Sequence, residues 1–299
     1  MSKITKALEK AARERRWREQ TLAAASVSAP QTVASTPDVN ESVLARTDST
    51  VDAHIVSLAD SGSPIAEQYR ILRANLQSVK WGPGAKVFTV TSALNGEGKS
   101  VTAVNLALTW ARQEQMRVVL VDADLRKGSV HRWLGLEASR EGLSTVLQRD
   151  GHLNGALIKL SSVPLTVLLA GPETEHPAEL LESSGMKRVL ATLKAQFDVI
   201  IIDTPPVLPV ADPGIIAAQT DGAVFVVRAG RTQRKTALQA HALLTQMNAT
   251  VLGCVLTHVE HYLAGYYGYY RYHRYGSTPE DAPAPSEEAR PQASATVAT

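Results

Sequence analysis

The stretch TVTSALNGEGKS, Thr89 to Ser100, decides the fold of this chain. A strand-like run ends there in a glycine-containing loop, and helix-like sequence, VTAVNLALTWARQ, follows at once. Glycines let backbone N–H groups surround a phosphate, and the N-terminus of the next helix favours negative charge. We therefore expect Lys99 on the β- and γ-phosphates of a nucleotide and Ser100 on Mg²⁺. The residues expected to cradle the nucleotide are Asn95, Gly96, Glu97, Gly98, Lys99, Ser100 and Val101.

The loop departs from the full phosphate-loop pattern at one position. The pattern G-x-x-x-x-G-K-[ST] begins with glycine, where this chain has Ala93. By itself the stretch is therefore also compatible with a tight strand–helix turn that contains Gly-Lys-Ser by chance.

Two further segments favour the nucleotide site. RVVLVDADLR (117–126) and DVIIIDTPP (198–206) are apolar runs that end in acidic residues, Asp122 and Asp124 in the first and Asp203 in the second. Continuous apolar runs are typical of parallel strands buried on both faces, and ligands bind at the carboxyl ends of such strands. Each aspartate alone would be explained as a helix cap or turn residue. Three of them around a Gly-Lys-Ser loop predict Mg-nucleotide chemistry.

Composition sets broad limits on fold and function. From residue 87 onward strand and helix patterns alternate, which predicts an α/β fold with a doubly wound, mostly parallel sheet. The net charge is 31 − 29 = +2, so it gives no global reason to expect nucleic-acid or membrane binding. The single cysteine, Cys254, excludes an internal disulfide and is expected to be buried in the run TVLGCVLTHV. No apolar run reaches the ~18 residues of a membrane span.

Four segments follow from composition and periodicity. They are a basic amphipathic helix (1–22), a flexible linker (23–60), a phosphate-loop domain (61–260) and a tyrosine-rich tail (261–299), with both termini disordered. The N-terminal helix either docks on a partner or an anionic membrane surface, or is simply solvated. Within the linker, IVSLAD (55–60) is a candidate short strand or docking segment.

A helix is predicted to begin at Ser63, which is a suitable N-cap before Pro64. Glu67, Arg70 and Arg73 share one side of it. From their spacing alone they are ordinary surface charges, or they belong to an interface in which the Glu of one subunit meets the Arg pair of another.

The tail begins with a cluster of tyrosines. Seven of the eight tyrosines of the chain lie here: Tyr262, Tyr266, Tyr267, Tyr269, Tyr270, Tyr272 and Tyr275. They would form a packed aromatic cluster, a stacking surface together with Arg271 and Arg274, or a set of phosphate acceptors. The cluster contains tyrosines but no Phe or Trp. This favours a role for the hydroxyl group over the ring, and therefore a role as phosphate acceptors.

Taken together, these motifs resemble the bacterial tyrosine kinases of capsule and exopolysaccharide synthesis, a branch of the MinD/ParA-like P-loop NTPases, over roughly residues 61–275. SALNGEGKS resembles the family's Walker A motif, VVLVDADLR its Walker A′ motif and VIIIDTPP its Walker B motif, and PAELLESS is also familial. EQYRILR resembles the Glu-x-x-Arg-x-x-Arg motif of ring-like oligomerisation. Asn95 stands where the family often has proline, and Thr257 where it often has an asparagine near the adenine.

The resemblance implies an ATP- and Mg²⁺-dependent protein-tyrosine autokinase that regulates polysaccharide polymerisation and export. It implies a cytoplasmic enzyme, peripheral to the inner membrane through a separate chain-length-determinant protein that activates it, a ring-like homo-oligomer and a cognate tyrosine phosphatase. The tail tyrosines would be the phosphoacceptors, modified by a neighbouring subunit, and Glu67, Arg70 and Arg73 the oligomer interface.

In this reaction we expect catalytic roles for Lys99, Asp122, Asp124 and Asp203. Ser100, Asp122 and Asp203 would hold Mg²⁺, and Asp122 is preferred to Asp124 as the base for the tyrosine hydroxyl. Arg126 would either fix Asp124 or contact phosphate.

Two rival functions share parts of the pattern. A MinD/ParA-like ATPase switch would have the same fold and acidic motifs without tyrosine transfer, although many such switches carry an extra lysine early in the loop, where this chain has ALNGE. An adaptor that binds nucleic acid or polysaccharide through the tail is the third possibility.

Overall fold

The structure, a computed structural model, describes residues 51–149, 151–153 and 155–259, and the backbone of a two-residue strand at Leu44–Ala45. The predicted N-terminal helix (1–22), most of the predicted linker and the tyrosine-rich tail (261–299) lie outside these residues.

Strands and helices alternate along the described chain. The strands are β1 (Leu44–Ala45), β2 (Lys86–Ser92), β3 (Val118–Asp122), β4 (Leu157–Leu160), β5 (Leu165–Leu168), β6 (Val199–Asp203), β7 (Gly222–Arg228) and β8 (Val251–Thr257). The helices are α1 (Val56–Ala59), α2 (Pro64–Gln77), α3 (Lys99–Ala111), α4 (Val130–Trp133), α5 (Leu143–Gln148), α6 (Pro177–Glu182), α7 (Ser184–Gln196), α8 (Asp212–Ala217) and α9 (Arg234–Gln246). Ser63 caps α2 as expected, since its hydroxyl accepts a hydrogen bond from the Ala66 backbone N–H at 3.1 Å.

The strands form one sheet in the order β1-β4-β5-β3-β6-β2-β7-β8. Every pair is parallel except β4–β5. Strands β3 and β6 are buried at every position, because their runs of Val, Ile and Leu supply apolar side chains to both faces. The predicted α/β class with a mostly parallel sheet is confirmed.

Apolar residues cover both faces of the sheet. Along β7, Val224 and Val226 join a cluster formed mainly with α1 to α4, whereas Ala223 and Phe225 join a second cluster with α8 and α9. Because successive strand residues point to opposite faces, the two clusters lie on opposite sides. The sheet is therefore doubly wound.

Strand register brings the acidic motifs together. Asp122, the last residue of β3, lies directly opposite Asp203, the last residue of β6. Asp203 is also opposite Val90 of β2, the strand that leads into the glycine loop. The loop and both acidic motifs therefore meet at one edge of the sheet.

The folded domain begins earlier than the predicted boundary at residue 61. Residues 55–60 contain the short helix α1 instead of a strand, and Ile55 before it is fully buried. The backbone N–H of Ser57 donates to Asn105 Oδ1 at 2.9 Å, which joins α1 to α3. This part of the predicted linker therefore belongs to the core.

Two other predictions are corrected. The single helix expected over 177–197 is two helices, because Ser183 is extended (ψ 162°) and its hydroxyl caps α7 by accepting from Met186 N at 3.3 Å. Cys254 is exposed and not buried. It lies on β8, which is the last strand of the sheet within the described residues and therefore lacks cover on one side.

Candidate active site

The glycine loop has the backbone of a phosphate cradle. Gly96 (φ 77°) and Gly98 (φ 94°) adopt left-handed conformations that residues with a Cβ rarely adopt. Gly98 is the N-cap of α3 and offers no capping side chain, so the first N–H groups of the helix stay free for an anion. Eleven of the thirteen residues of α3 are buried, which fixes the direction of its N-terminus. Ala93, where the motif has glycine, is itself fully buried.

Glu97 braces this loop from inside. Its side chain is 1% exposed and accepts hydrogen bonds from the Leu94 backbone N–H (3.1 Å) and from the Thr232 hydroxyl. Thr232 follows β7, so the carboxylate ties the loop to the neighbouring strand. The sequence indicates Glu97 only as a member of the cradle, and nothing in it indicates Thr232.

Two more side chains hold the loop from the same side. The Thr257 hydroxyl donates to the Glu97 carbonyl at 2.7 Å, and the Arg228 guanidinium donates to the Gly96 carbonyl at 3.1 Å. Thr257, flagged by sequence as a departure near the adenine, therefore supports the phosphate loop. Arg228 carried no local signal in the sequence.

Lys99 stands among the predicted acidic residues. Its ammonium nitrogen lies 3.1 Å from Ser100 Oγ, 3.4 Å from Asp124 Oδ2 and 4.0 Å from Asp203 Oδ1. Burial lowers the pKa of Lys99, but Asp203, Asp124 and Asp122 outweigh it, so the pKa is raised overall. The lysine is therefore charged and placed where phosphate oxygens would meet it. The structure thus brings together all four residues for which catalytic roles were expected.

Asp122 is fully buried and held by the backbone. Its Oδ1 accepts from the Asp124 N–H at 3.2 Å and its Oδ2 from the Val130 N–H at 3.0 Å. Burial, followed by the charge of Asp203, raises the pKa of Asp122 to about 7. A carboxylate with that pKa is suited to accept a proton near neutral pH.

Asp203 fits a site for a small divalent cation. Both of its side-chain oxygens are buried, and no donor among the described residues reaches them with full hydrogen-bond geometry, although Ser100 and the Thr204 backbone partly stabilise the charge. Burial raises its pKa, and the charge of Lys99 opposes that shift. A buried carboxylate without well-placed donors is costly unless a cation compensates it. Mg²⁺ is usually held by one or two carboxylates together with substrate phosphates, and Asp203 and Asp122 could supply the carboxylates.

Arg126 pairs with Asp212 and not with Asp124, which was one of its two expected partners. Its guanidinium makes a two-pronged ion pair with Asp212, with Nε at 2.8 Å from Oδ2 and Nη2 at 3.1 Å from Oδ1. Asp212 is fully buried at the start of α8. Nothing in the sequence indicates this role for Asp212, because an acidic residue before Pro-Gly is explained equally well as the start of a helix.

A groove of about 490 Å³ opens beside the phosphate loop, between α2 and β8. Its walls include Tyr69 and Leu72 of α2, Val101 and Thr102 of α3, and Leu256 of β8. The mainly apolar walls and the position next to Gly98 suit the flat base of a nucleotide.

The three residues of the predicted interface lie on α2. Glu67 and Arg70 form an ion pair on its surface, and Arg70 also donates to the Ser61 carbonyl. Arg73 turns inward and donates to the Thr109 carbonyl at 2.9 Å. Glu67 and Arg70 are therefore on the surface, while Arg73 joins α2 to α3. The seven tail tyrosines lie outside the described residues.

Comparison with known proteins gives one consistent result. A family model described as an AAA domain matches residues 85–230. The tyrosine-protein kinase YwqD of Bacillus subtilis is 36% identical over 222 residues, which cover 73% of this chain and 93% of that protein. The crystal structure of the chimerical protein CapA2B2 is similar with a TM-score of 0.64 and 29% identity, over 72% of this chain and 92% of that one. The fold also matches the septum site-determining protein MinD of Pyrococcus horikoshii in complex with Mg-ADP (TM-score 0.50, 22% identity, 57% of this chain and 70% of that one).

Proposed function

The chain belongs to the bacterial tyrosine-protein kinases, and from this premise we propose that it transfers the γ-phosphoryl group of ATP to tyrosines in the tail of a neighbouring subunit. The observation that carries the proposal is the position of Lys99, 3.4 Å from Asp124 and 4.0 Å from Asp203, at the N-terminus of α3. A free phosphate cradle, a cation and carboxylates at one edge of the sheet are the parts that phosphoryl transfer requires.

ATP would lie along this edge. Its phosphates would bind the backbone N–H groups of residues 95–101, and its base would enter the groove between α2 and β8. Lys99 would neutralise charge on the β- and γ-phosphates. Ser100 would hold Mg²⁺, and Asp203 and Asp122 would bind it directly or through water. The ion would neutralise the charge that develops on the phosphate oxygens.

Asp122 would act as the base. The tyrosine oxygen forms a bond to the γ-phosphorus, the bond from that phosphorus to the β–γ bridging oxygen breaks, and ADP leaves with its electron pair. The phenol proton passes to the Asp122 carboxylate, because a hydroxyl with a pKa of ~10 attacks poorly while protonated. Asp124, 3.4 Å from Lys99, would keep the lysine directed toward the phosphates.

The tail tyrosines are the proposed acceptors. The described chain ends at Val259, two residues after β8, and seven tyrosines follow between 262 and 275. Several acceptor tyrosines on one segment suit a tail that enters the active site of a neighbouring subunit more than once. Exposed Glu67 and Arg70 on α2 would contribute to the interface that brings one subunit's tail to the next, with Arg73 supporting them from α3.

Repeated phosphorylation would then control the assembly. Each phosphate adds roughly −1.5 to −2 charges, so modified tails would repel one another and loosen a ring-like oligomer. We propose that this cycle regulates polymerisation and export of a capsule or exopolysaccharide, with a cognate phosphatase resetting it. No helix in the described residues is long and apolar enough to cross a membrane. The proposed site of action is the cytoplasmic side of the inner membrane, reached through a chain-length-determinant partner that activates the kinase.

A mixing experiment tests transfer between subunits. One full-length chain carries Lys99→Met, which keeps the acceptor tyrosines but removes the ammonium group that would bind the phosphates. The other carries Phe at all seven tail tyrosines and keeps the active site. We expect the Lys99→Met tail to acquire phosphotyrosine only in the mixture.

Two results would change the proposal. If the Lys99→Met tail stays unmodified beside an active partner while the wild type modifies itself, transfer occurs within one chain. If ATP is hydrolysed without phosphotyrosine in any chain, the ATPase-switch function is favoured. The matched control is Lys187→Met, an exposed lysine on α7.

A further inference from the structure

A second cavity, of about 440 Å³, lies beside the proposed catalytic carboxylates. It opens between the segment that follows β3, helix α4 and the end of β5. None of the predicted nucleotide-binding residues lines it. Its walls include Lys127, Gly128, His131, Arg132, Ala170 and Glu173.

This cavity shares a wall with Asp122. A Cβ added to Gly128 would lie 3.1 Å from Asp122 Oδ2 and 2.5 Å from the Ala170 Cβ, so only glycine fits between them. On the same wall, the Lys127 backbone N–H donates to Asp124 Oδ1 at 3.0 Å. A group bound in the cavity would therefore be a close neighbour of the carboxylates that receive the acceptor tyrosine.

Positive charge dominates the cavity. Lys127 and Arg132 are exposed, and neither forms an ion pair in the part of the chain that the structure describes. Glu173 is the one acidic residue among those that line it. Burial, and then the charge of Arg132, lowers the pKa of His131, which is therefore mainly neutral at pH 7. Among the residues that line the cavity, two free cations stand against one carboxylate. Asp122 and Asp124 do not line it and are buried, so an anionic guest is favoured on the side formed by Lys127 and Arg132, away from those carboxylates.

The unmodified acceptor segment is a poor match for this charge. Residues 261–276 contain no Asp or Glu but do contain Arg271 and Arg274, so the segment is itself cationic. The first phosphate roughly cancels that net charge and adds one strongly anionic group, because it brings roughly −1.5 to −2 charges and three acceptor oxygens. A tail that carries phosphate is therefore the better match for the charge of the cavity.

The tyrosine spacing is comparable to the distance between the strands that border the two sites. Tyr266, Tyr269, Tyr272 and Tyr275 are three residues apart, and three extended residues span ~10 Å. The cavity borders β3, whereas the phosphate loop follows β2, two positions along the sheet. Two strand spacings also amount to ~10 Å. A segment that holds a phosphotyrosine in the cavity would thus be long enough for another tyrosine of the cluster to reach the phosphate loop.

We propose that the Lys127–Arg132 cavity binds a phosphotyrosine already formed on the acceptor tail and positions the next tyrosine for transfer. The inference rests on the proposed function, since it assumes that the tail is the substrate. In the primed complex the new tyrosine oxygen bonds to the γ-phosphorus of ATP, its proton passes to Asp122 and ADP leaves. The phosphate in the cavity is unchanged, so modification of one tail becomes sequential.

Peptide kinetics with the full-length kinase test this. Two synthetic peptides of residues 261–276 serve as substrates, one unmodified and one with phosphotyrosine at position 272. We expect kcat/KM to be about tenfold higher for the primed peptide, since charge-assisted hydrogen bonds to phosphate are about twice as strong as neutral ones. In the double variant Lys127→Gln/Arg132→Gln the ratio should fall to about one, with the rate on the unmodified peptide unchanged.

Controls separate binding from folding. Lys127→Arg/Arg132→Lys keeps both charges and should retain the preference. Arg112→Gln/Lys187→Gln removes two exposed cations that do not line the cavity and should retain it as well. Intact-mass analysis of the autophosphorylated chain should show multiply phosphorylated tails in the wild type and mainly singly phosphorylated tails in the Gln double variant.

Three outcomes would overturn the inference. Equal use of both peptides by the wild type means that the cavity does not select phosphate. An equal loss on both peptides in the Gln variant means that the two cations serve the fold or general peptide binding. If the wild type modifies neither peptide nor its own tail, the proposed function fails and this inference fails with it, whereas the first two outcomes leave the kinase proposal intact.

Discussion

Arg126 and Asp212, 86 residues apart in sequence, form a bidentate ion pair with N–O distances of 2.8 and 3.1 Å. Arg126 follows β3 and Asp212 begins α8, which comes after β6. The pair therefore connects the segment that carries Asp124 with the segment that follows Asp203. It holds in one arrangement the two loops that we propose to meet the γ-phosphate.

Breaking this pair should destabilise the domain. Arg126→Met leaves the Asp212 carboxylate buried without its cation, and we expect a loss of about 2–3 kcal/mol, below the full cost of a buried pair because Arg126 is partly exposed. Asp212→Asn in the same chain should recover part of the loss, since no buried charge remains. Urea unfolding of the two single variants and the double variant measures this. Additive losses would show that the residues do not act as a pair.

The Glu97 brace should control nucleotide affinity. Glu97→Gln replaces one of the two acceptor oxygens by a donor, so either Leu94 N–H or the Thr232 hydroxyl loses its partner. An unsatisfied buried group costs about 1–3 kcal/mol, and we expect ATP to bind about tenfold more weakly. Titration calorimetry with a non-hydrolysable ATP analogue gives the dissociation constant. Glu114→Gln, on the exposed surface, should bind the analogue as tightly as the wild type does. Equal affinities in the wild type and both variants would show that Glu97 does not support nucleotide binding.

The raised pKa of Asp122 predicts how stability depends on pH. Its pKa rises from 3.8 to about 7 on folding, so between these values the folded chain binds more protons than the unfolded chain. This contribution is complete below pH 4 and is lost as the pH rises toward 7. The raised pKa of Asp203 acts in the same direction, whereas the lowered pKa of His131 opposes it at pH values up to about 6.5.

Asp122→Asn isolates the contribution of this one residue. Melting temperatures without nucleotide, measured from pH 5 to 8, should fall more steeply with pH in the wild type than in the variant. Parallel profiles would mean that Asp122 is not protonated in the folded protein near neutral pH.

The elements that a local pattern determines could be read from the sequence. Continuous Val, Ile and Leu runs predict β3 and β6, and Ser63 before Pro64 marks the start of α2, because the chemistry lies within a few neighbouring residues. The convergence of Asp122 and Asp203 also followed, since parallel strands end at a common edge.

Contacts between distant residues, and exposure that depends on strand order, could not be predicted from the sequence. Thr232 lies 135 residues from Glu97, and nothing near either residue marks their contact. Cys254 sits in an apolar run like those of the core, but β8 is at the edge of the sheet, so the same pattern leaves its side chain exposed. The second cavity joins segments around residues 127, 132 and 170, which no sequence motif brings together.

The most direct test of the central claim is phosphopeptide mapping of residues 261–276 after incubation with Mg·ATP, in the wild type, Lys99→Met and Lys187→Met. The account predicts phosphotyrosine in the wild type and in Lys187→Met, and at least a ~100-fold loss in Lys99→Met, the range for removing one transition-state charge contact. An unmodified segment in all three chains, together with ATP hydrolysis that requires Lys99, would contradict it and indicate an ATPase that does not phosphorylate its tail.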